Sequence, residues 1–173
     1  MGRVFAVRHA MPELDPVSEP HEWRLSGEGR MAAGKLRGRL PTGSCCIASA
    51  ERKAQETLRL AVDDSFDVDR RLNEVRRPVE PLGGDVRPCR RAWVSGQLDS
   101  RHEGWETPTD AAARFDAVVR IPSNSQNVVV ASHGMILTAW LVSVGILDEG
   151  ESAALFWEAL AFPDIVSVDL PLR

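Results

Sequence analysis

The chain has 173 residues, a length typical of one domain, and 43% of its residues are apolar while 27% are charged. These values exclude collagen, low-complexity disorder and a small disulfide-dense scaffold. Acidic side chains outnumber basic ones by 25 to 21, and the net charge of −4 argues against a protein that mainly coats nucleic acid or an anionic membrane. We therefore expect one domain over residues 1–173.

Few features of the sequence indicate the cellular compartment of the protein. The sequence contains no apolar run near the ~20 residues that span a bilayer. Its N-terminal apolar core, Val4 to Val7, is shorter than the about 7–15 residues of a secretory leader. The three cysteines are an odd number, which favours reduced thiols. We expect a cytoplasmic protein that binds neither membrane nor nucleic acid, and the sequence leaves its oligomeric state open.

Short β-branched runs alternate with helical stretches, which predicts an α/β fold with a largely parallel sheet. In the first half, the predicted elements are a strand over Arg3–Arg8, a loop over Met11–Trp23, a helix capped by Ser26 that ends near Leu40, a strand over Cys45–Ser49, a helix over Glu51–Ala61 and a short strand over Phe66–Val68. In the second half, they are a helix capped by Thr107 that ends near Arg120, a strand over Asn127–Ser132, a helix over Gly134–Ile146 and a strand over Ile165–Leu170.

Residues 76–104 show no clear helical or strand pattern and are rich in proline and glycine. Long segments of this kind are often functional, so we expect a lid or insertion here. The overlapping stretch 70–101 holds eight arginines and four acidic residues, a surplus of four positive charges. We interpret it either as a lid that recruits an anionic substrate beyond the reacting group or as a solvated basic loop, and the sequence leaves both open.

Two predicted buried strands end in the same way, one in Arg8-His9 and the other in Ser132-His133. Ligands of open α/β sheets bind at the carboxyl ends of the strands, so both imidazoles are expected in one crevice. A third strand end delivers Arg52 into the first turn of a helix, where free N–H groups favour anions. Two histidines and two arginines converging there predict a site for a tetrahedral dianion.

Five segments, in this order, resemble the motifs of the histidine phosphatase superfamily, also called phosphoglycerate-mutase-like. They are Arg8-His9-Ala10, Ser49-Ala50-Glu51-Arg52-Lys53-Ala54-Gln55-Glu56-Thr57, Leu72-Asn73-Glu74, Gly104-Trp105-Glu106-Thr107 and Ser132-His133-Gly134. The resemblance extends from residue 3 to about residue 145. It implies a three-layer α/β/α sandwich with a mostly parallel central sheet.

The resemblance also implies a two-step hydrolysis of a small phosphomonoester, with no metal and no cofactor. His9 would be the nucleophile that forms a phosphohistidine, and Glu74 would protonate the leaving oxygen and later activate water. Arg8, Arg52 and His133 would surround the phosphoryl oxygens, since arginine binds phosphate with a planar fork. The predicted catalytic residues are thus His9, Glu74 and His133, and the predicted phosphate ligands are Arg8, Arg52 and His133.

Where many family members carry Gly-Glu-Thr after Arg-His, this chain has Ala10-Met11-Pro12, which favours a plain phosphatase over a mutase. A protein phosphohistidine phosphatase is an alternative, but its substrate is already a good leaving group and needs little help from Glu74. A non-catalytic phosphate-binding domain is the other alternative, although it would be expected to lack one of the core groups. The sequence does not identify the substrate.

Overall fold

The computed structural model describes residues 2–63, 65–80, 83–120 and 127–169, and the strands found there form one five-stranded sheet. The strands are β1 (Arg3–Arg8), β2 (Cys45–Ser49), β3 (Asp67–Asp69), β4 (Val128–Ser132) and β5 (Asp164–Asp169). The helices are α1 (Gly27–Gly34), α2 (Arg52–Ala61), α3 (Arg87–Val94), α4 (Pro108–Val119), α5 (Gly134–Ser143) and α6 (Glu151–Ala159).

The strand order across the sheet is β3-β2-β4-β1-β5, so strands distant in sequence lie side by side. The first four strands are parallel, and only β5 runs antiparallel, alongside β1. Arg8 at the end of β1 pairs with Ser132 at the end of β4, and Ala48 of β2 pairs with Ala131 of β4. The carboxyl ends of β2, β4 and β1 therefore meet at one edge of the sheet.

The two faces of the sheet carry separate hydrophobic clusters because successive strand residues point to opposite faces. Val128 and Val130 of β4 pack with α3, α4, α5 and α6, whereas Val129 and Ala131 pack with α2 and the turns after α1. Every residue of β4 is buried, as expected for a strand covered on both faces. The three-layer arrangement and the mostly parallel sheet confirm the predicted fold.

The predicted helix starts are accurate, but two helices end earlier than predicted. The side chains of Ser26 and Thr107 accept the expected capping hydrogen bonds at the starts of α1 and α4. However, α1 ends at Gly34 instead of near Leu40, and α5 ends at Ser143 instead of Ile146. In α5 the following Gly145 adopts a φ of +73°, the left-handed conformation that ends helices.

Two helices were not predicted. The segment 76–104 contains α3, where Pro88 occupies the first turn and its missing N–H breaks no helical hydrogen bond. Helix α6 was not expected either, and the predicted end of the last strand, Leu170, lies outside the described residues. In the part of the chain that the structure describes, no helix is long and apolar enough to cross a membrane.

Candidate active site

His9 directly follows β1, and its backbone N–H donates to the carbonyl of Ser132 at 3.0 Å, which continues the pairing with β4. Its Nδ1 lies 2.7 Å from the carbonyl oxygen of Ala10. A carbonyl can only accept, so Nδ1 carries the proton and Nε2 keeps its lone pair. The backbone of Ala10 is fixed in turn by a 2.9 Å hydrogen bond to the hydroxyl of Thr57. His9 is thus held in the tautomer that a nucleophilic imidazole requires.

His133 follows β4, and its ring centroid lies 5.1 Å from that of His9. The hydroxyl of Ser49 donates to Asn73 at 2.9 Å, so its oxygen accepts from Nε2–H of His133 at 2.8 Å. The other nitrogen, Nδ1, is buried and has no hydrogen-bond partner among the described residues. Buried polar atoms usually have a hydrogen-bond partner, and a ligand between the rings would supply one for this nitrogen.

Arg8 is the last residue of β1, directly before His9, and is 8% exposed. Its Nη1 donates to the carbonyl of Leu160 at 2.5 Å, and its Cζ lies 3.4 Å from the ring centroid of Phe162. Burial lowers the pKa of Arg8 to about 10, so the guanidinium remains charged at neutral pH. Its Nε is buried without a partner among the described residues. Arg8 is therefore a pre-positioned cation whose Nε–H group is available to a ligand.

Gly134 is required beside Arg8 at the start of α5. A Cβ at position 134 would lie 3.1 Å from Nε and 3.2 Å from Cζ of Arg8. The motif glycine after His133 thus lets the guanidinium cross the beginning of the helix.

Glu74 lies at the same helix start. Its carboxylate accepts hydrogen bonds from the backbone N–H groups of Met135, at 3.3 Å, and Ile136, at 3.1 Å. Burial raises the pKa of the Glu74 carboxyl, but His133 and Arg77 outweigh that effect and bring it below its ordinary value. Glu74 is therefore ionised before a substrate arrives, which suits a general base. To act as an acid it must first take up a proton.

Arg52, a predicted phosphate ligand, does not join the two histidines. Its side chain is 45% exposed, and its Nε pairs with Glu56 at 3.1 Å. The buried cation at this position is Lys53, which is 6% exposed and donates 2.6 Å hydrogen bonds to Glu51 and to the carbonyl of Pro20. The structure thus places Lys53, and not Arg52, on the buried side of the helix, and a phosphate-binding role of Arg52 stays a prediction.

The periodicity of α2 indicates that Lys53 is buried. The buried residues of this helix are Lys53, Ala54, Thr57, Leu58 and Ala61. This spacing is that of one helical face, and a lysine on it points inward. Arg52, Glu56 and Arg59 belong to the opposite, polar face.

Glu51 is a second site residue that the sequence did not reveal. It is 7% exposed, and its Oε1 accepts the backbone N–H of Glu74 at 2.8 Å and lies 3.5 Å from Nε2 of His133. Its Oε2 accepts from Lys53. One carboxylate thereby connects the buried cation, the backbone of the predicted acid and the second histidine.

Both imidazoles are neutral at pH 7. Burial is the main cause that lowers the pKa of His9 well below 6.5, and the facing His133 and the charge of Lys53 lower it further. Burial and Lys53 likewise lower the pKa of His133 well below 6.5. A neutral His9 has a lone pair that can attack phosphorus. Because the neutral ring does not attract an anion, the nearby cations supply that attraction.

Arg114 fixes the chain around Glu74. Its guanidinium bonds both carboxylate oxygens of Glu106 at 2.8 Å, and it donates to the carbonyls of Asn73, at 2.7 Å, and Glu74, at 3.1 Å. The Glu106 side chain is only 2% exposed. Both residues position the site without reaching the histidines.

Two facing imidazoles between buried cations, at the carboxyl edge of a parallel sheet, define a protein built to hold a tetrahedral oxyanion. Within the described residues, no group of three or more His, Cys, Asp or Glu side chains is placed to hold a metal ion. The model of the histidine phosphatase superfamily, branch 1, matches residues 4–155. The chain belongs to this superfamily, and it is a hydrolase that acts on phosphate esters.

Solved structures share the fold at low sequence identity. A mycobacterial glucosyl-3-phosphoglycerate phosphatase is 20% identical with a TM-score of 0.68, over 96% of this chain and 89% of the other. A phosphoglycerate mutase from Thermus thermophilus is 21% identical with a TM-score of 0.61, over 86% of each chain. No curated protein sequence matches the chain significantly.

Proposed function

We propose that this protein is a phosphomonoesterase that hydrolyses a small phosphorylated substrate through a phosphohistidine at His9, with no metal or other cofactor. The observation that carries the proposal is the pair of neutral rings 5.1 Å apart. His9 offers the lone pair of Nε2, and His133 offers a buried Nδ1 without a partner among the described residues. One phosphoryl group between the rings would use both atoms.

In the first step, Nε2 of His9 attacks phosphorus, the N–P bond forms and the ester P–O bond breaks. Arg8 and Lys53 provide positive charge on two sides of the phosphoryl oxygens. Nδ1 of His133 carries no proton in the free enzyme, but the bound dianion favours protonation of this imidazole, and the protonated Nδ1 then donates a hydrogen bond to a phosphoryl oxygen. The leaving oxygen takes a proton from Glu74. A dianionic substrate favours the protonated form of this carboxyl, because it adds negative charge beside it.

In the second step, water attacks phosphorus, the N–P bond breaks and inorganic phosphate leaves. Glu74, now ionised, accepts the proton of the water, the role that its low pKa suits in the free enzyme. A mycobacterial phosphatase of this fold was solved with VO3, and also with inorganic phosphate, which are ligands of the size that the proposed site would hold.

We propose that the segment 76–104 is a lid whose two ends are hydrogen-bonded to each other. The backbone N–H of Glu106 donates to the carbonyl of Arg76 at 2.8 Å, and the backbone N–H of Arg76 donates to the Glu106 carboxylate at 3.1 Å. The two ends of the segment are therefore held together while α3 lies between them. A loop with joined ends can cover a site without disturbing the sheet below.

The test is hydrolysis of p-nitrophenyl phosphate in the presence of EDTA by the wild type, His9→Ala and His21→Ala. His21 is the matched control, since its side chain is 58% exposed. We expect His9→Ala to lose about 1,000-fold or more in kcat, as losses of nucleophiles usually do, and His21→Ala to match the wild type. Acid quenching should trap labelled phosphate on the wild type alone.

Two results would contradict the proposal. Activity that EDTA abolishes would show a metal-dependent reaction. Full activity of His9→Ala would show that His9 is not the nucleophile. Binding of inorganic phosphate with no turnover of any ester would instead favour the non-catalytic alternative.

A further inference from the structure

Glu51 carries a buried negative charge beside the ring of His133. Its side chain is 9% exposed, and its Oε1 lies 3.5 Å from Nε2 of His133. A buried carboxylate is costly unless a positive charge and hydrogen bonds compensate it. Here Oε2 accepts from Lys53 at 2.6 Å, and Oε1 accepts the backbone N–H of Glu74 at 2.8 Å. Both oxygens are therefore held, and with them the distance to His133.

A hydrogen-bond network determines which nitrogen of His133 carries the proton in the free enzyme. Oδ1 of Asn73 accepts from the backbone N–H of Ala50 at 2.8 Å and from the hydroxyl of Ser49 at 2.9 Å. The Ser49 oxygen in turn accepts from the backbone N–H of Glu51 at 3.1 Å and from Nε2–H of His133 at 2.8 Å. The proton is thus on Nε2, and the neutral ring presents the lone pair of Nδ1 to a ligand.

An unprotonated Nδ1 and a phosphoryl oxygen repel each other, because both are acceptors. The contact becomes favourable when Nδ1 takes up a proton, and the ring is then a cation between two anions, the phosphoryl group and the Glu51 carboxylate. The proton enters with the ester, whose monoanion carries it near a pH of about 6, or it comes from solvent. It leaves with inorganic phosphate, so His133 is neutral again after each turnover.

The other charges around His133 mostly oppose a positive ring. Three nearby cations disfavour its protonation: Lys53, Arg77 and Arg114. Burial opposes it as well, the adjacent His9 is neutral, and Glu74 alone of the other carboxylates favours it. Among the described residues, Glu51 is the one carboxylate within 4 Å of a nitrogen of this ring. It is therefore the group best placed to balance the charge.

We propose that Glu51 is a positioning residue whose carboxylate stabilises the doubly protonated His133, the form that donates Nδ1–H to the phosphoryl group. This inference rests on the proposed phosphatase function. It assigns one task to each oxygen of a single carboxylate: Oε2 orients Lys53, and Oε1 supports the charge on His133. Both groups would then contact the same phosphoryl group from different sides.

The test is ¹⁵N NMR of the histidine side chains, titrated between about pH 5 and pH 9 with and without saturating inorganic phosphate. It compares the wild type with Glu51→Gln, which keeps the size of the side chain and removes its charge, and a His133→Gln variant assigns the signals. Glu56→Gln is the matched control. Glu56 also pairs with a cation, Arg52 at 3.1 Å, and accepts a backbone N–H, from Leu25 at 2.9 Å, but it belongs to the polar face of α2.

We expect phosphate to raise the pKa of His133 in the wild type and in Glu56→Gln, and both ring nitrogens to be protonated in the complex. In Glu51→Gln, the phosphate-bound pKa of His133 should be lower by about one or more. The kcat/KM for p-nitrophenyl phosphate should fall at least about tenfold, the change in protonated fraction that one pKa unit represents. Glu51→Asp keeps the charge and should restore part of both.

An equal phosphate-bound pKa of His133 in the wild type and Glu51→Gln would overturn the inference even if activity fell, because Glu51 would then act through Lys53 alone. An equal change in Glu56→Gln would overturn it too. If Glu51→Gln does not fold, Glu51→Asp decides, since a carboxylate withdrawn by one methylene should lower the same pKa. In each case hydrolysis of p-nitrophenyl phosphate by the wild type would still support the phosphatase, whereas a wild type that hydrolyses no ester would refute that function and this inference with it.

Discussion

At the scale of the residue, the adjacent cations Arg52 and Lys53 have opposite environments at the start of one helix. Arg52 is in solvent and bonds Glu56, whereas Lys53 is enclosed by Glu51 and the carbonyl of Pro20. Neighbouring residues of a helix lie about 100° apart around its axis, and the buried face of α2 includes Lys53 but not Arg52. In the proposed mechanism, the buried Lys53 is therefore the one that acts on the phosphoryl group.

Substituting each cation by methionine should separate their roles. We expect Lys53→Met to lower kcat/KM for p-nitrophenyl phosphate by at least about 100-fold, because it removes charge from the pocket and leaves Glu51 buried without its cation. Arg52→Met should change kcat/KM by less than about threefold, as exposed ion pairs contribute little. Steady-state kinetics, with thermal unfolding to confirm folding, measures both.

The opposite ranking, with Arg52→Met the more damaging variant, would support the prediction that Arg52 binds the phosphoryl group. Lys53→Arg is a useful third variant, because it keeps the charge and should recover part of the activity if charge is what Lys53 supplies.

The residues that follow the strands could be predicted from the sequence, whereas the prediction of Arg52 did not use the periodicity that places Lys53 on the inward face of α2. His9 and His133 could be predicted because each directly follows an apolar strand, and the pairing of Arg8 with Ser132 makes them neighbours. Arg52 was predicted because a strand end delivers it into the first turn of a helix, but a shift of one position turns the side chain by about 100° around the helix axis. Glu51 gave no signal, since its partners come from three separate segments.

At the scale of the element, α1 fixes the chain that leaves His9. The carbonyl of Met11 accepts hydrogen bonds from the backbone N–H of Ser26, at 3.0 Å, and from its hydroxyl, at 3.2 Å. Gly29 lies against this carbonyl: a Cβ there would be 2.1 Å from the oxygen. The helix and the loop can only be this close because residue 29 is a glycine.

Two glycines of α1 therefore provide a matched pair. Gly29→Ala should destabilise the protein by about 2 kcal/mol or more, because the methyl group meets backbone that cannot move aside. Gly27→Ala adds a methyl group with no atom within 4 Å, and it should be neutral or stabilising by up to about 1 kcal/mol. Chemical denaturation measures both changes, and equal effects would contradict the close approach.

The elements that the sequence missed are those whose local pattern conflicts with their packing. Three of the eight residues of helix α3 are arginines and one is a proline, so it lacks the apolar repeat of an isolated helix. Tertiary contacts complete it: Trp93 is fully buried and donates to the backbone of Glu106 at 2.7 Å. The strands were easier to predict, because a run of valines such as Val128–Val130 is typical of a strand that is buried on both faces of a parallel sheet.

At the scale of the whole molecule, the two buried imidazoles make stability depend on pH. The pKa values of His9 and His133 are well below 6.5 in the folded chain, so the unfolded chain binds more protons in this range. The free energy of unfolding should therefore fall as the pH drops below about 6.5. Each imidazole contributes up to about 1.4 kcal/mol per pH unit.

Urea denaturation between about pH 7 and pH 5 measures this slope. His9→Asn and His133→Asn should each reduce it by about half, whatever their effect on stability at pH 7. A wild-type stability that does not change over this interval would contradict neutral, buried imidazoles in the folded protein.

The sheet of the described residues ends at β3 on one side and at β5 on the other, and both border strands carry aspartates. Asp67 and Asp69 belong to β3, and Asp164 and Asp169 belong to β5. Charges along an open border oppose pairing with the border of another molecule. Two of these carboxylates are paired, Asp69 with Arg71 and Asp169 with Arg3, so stacking one copy upon the next would remove water from charges of both signs, and this cost works against fibrous association.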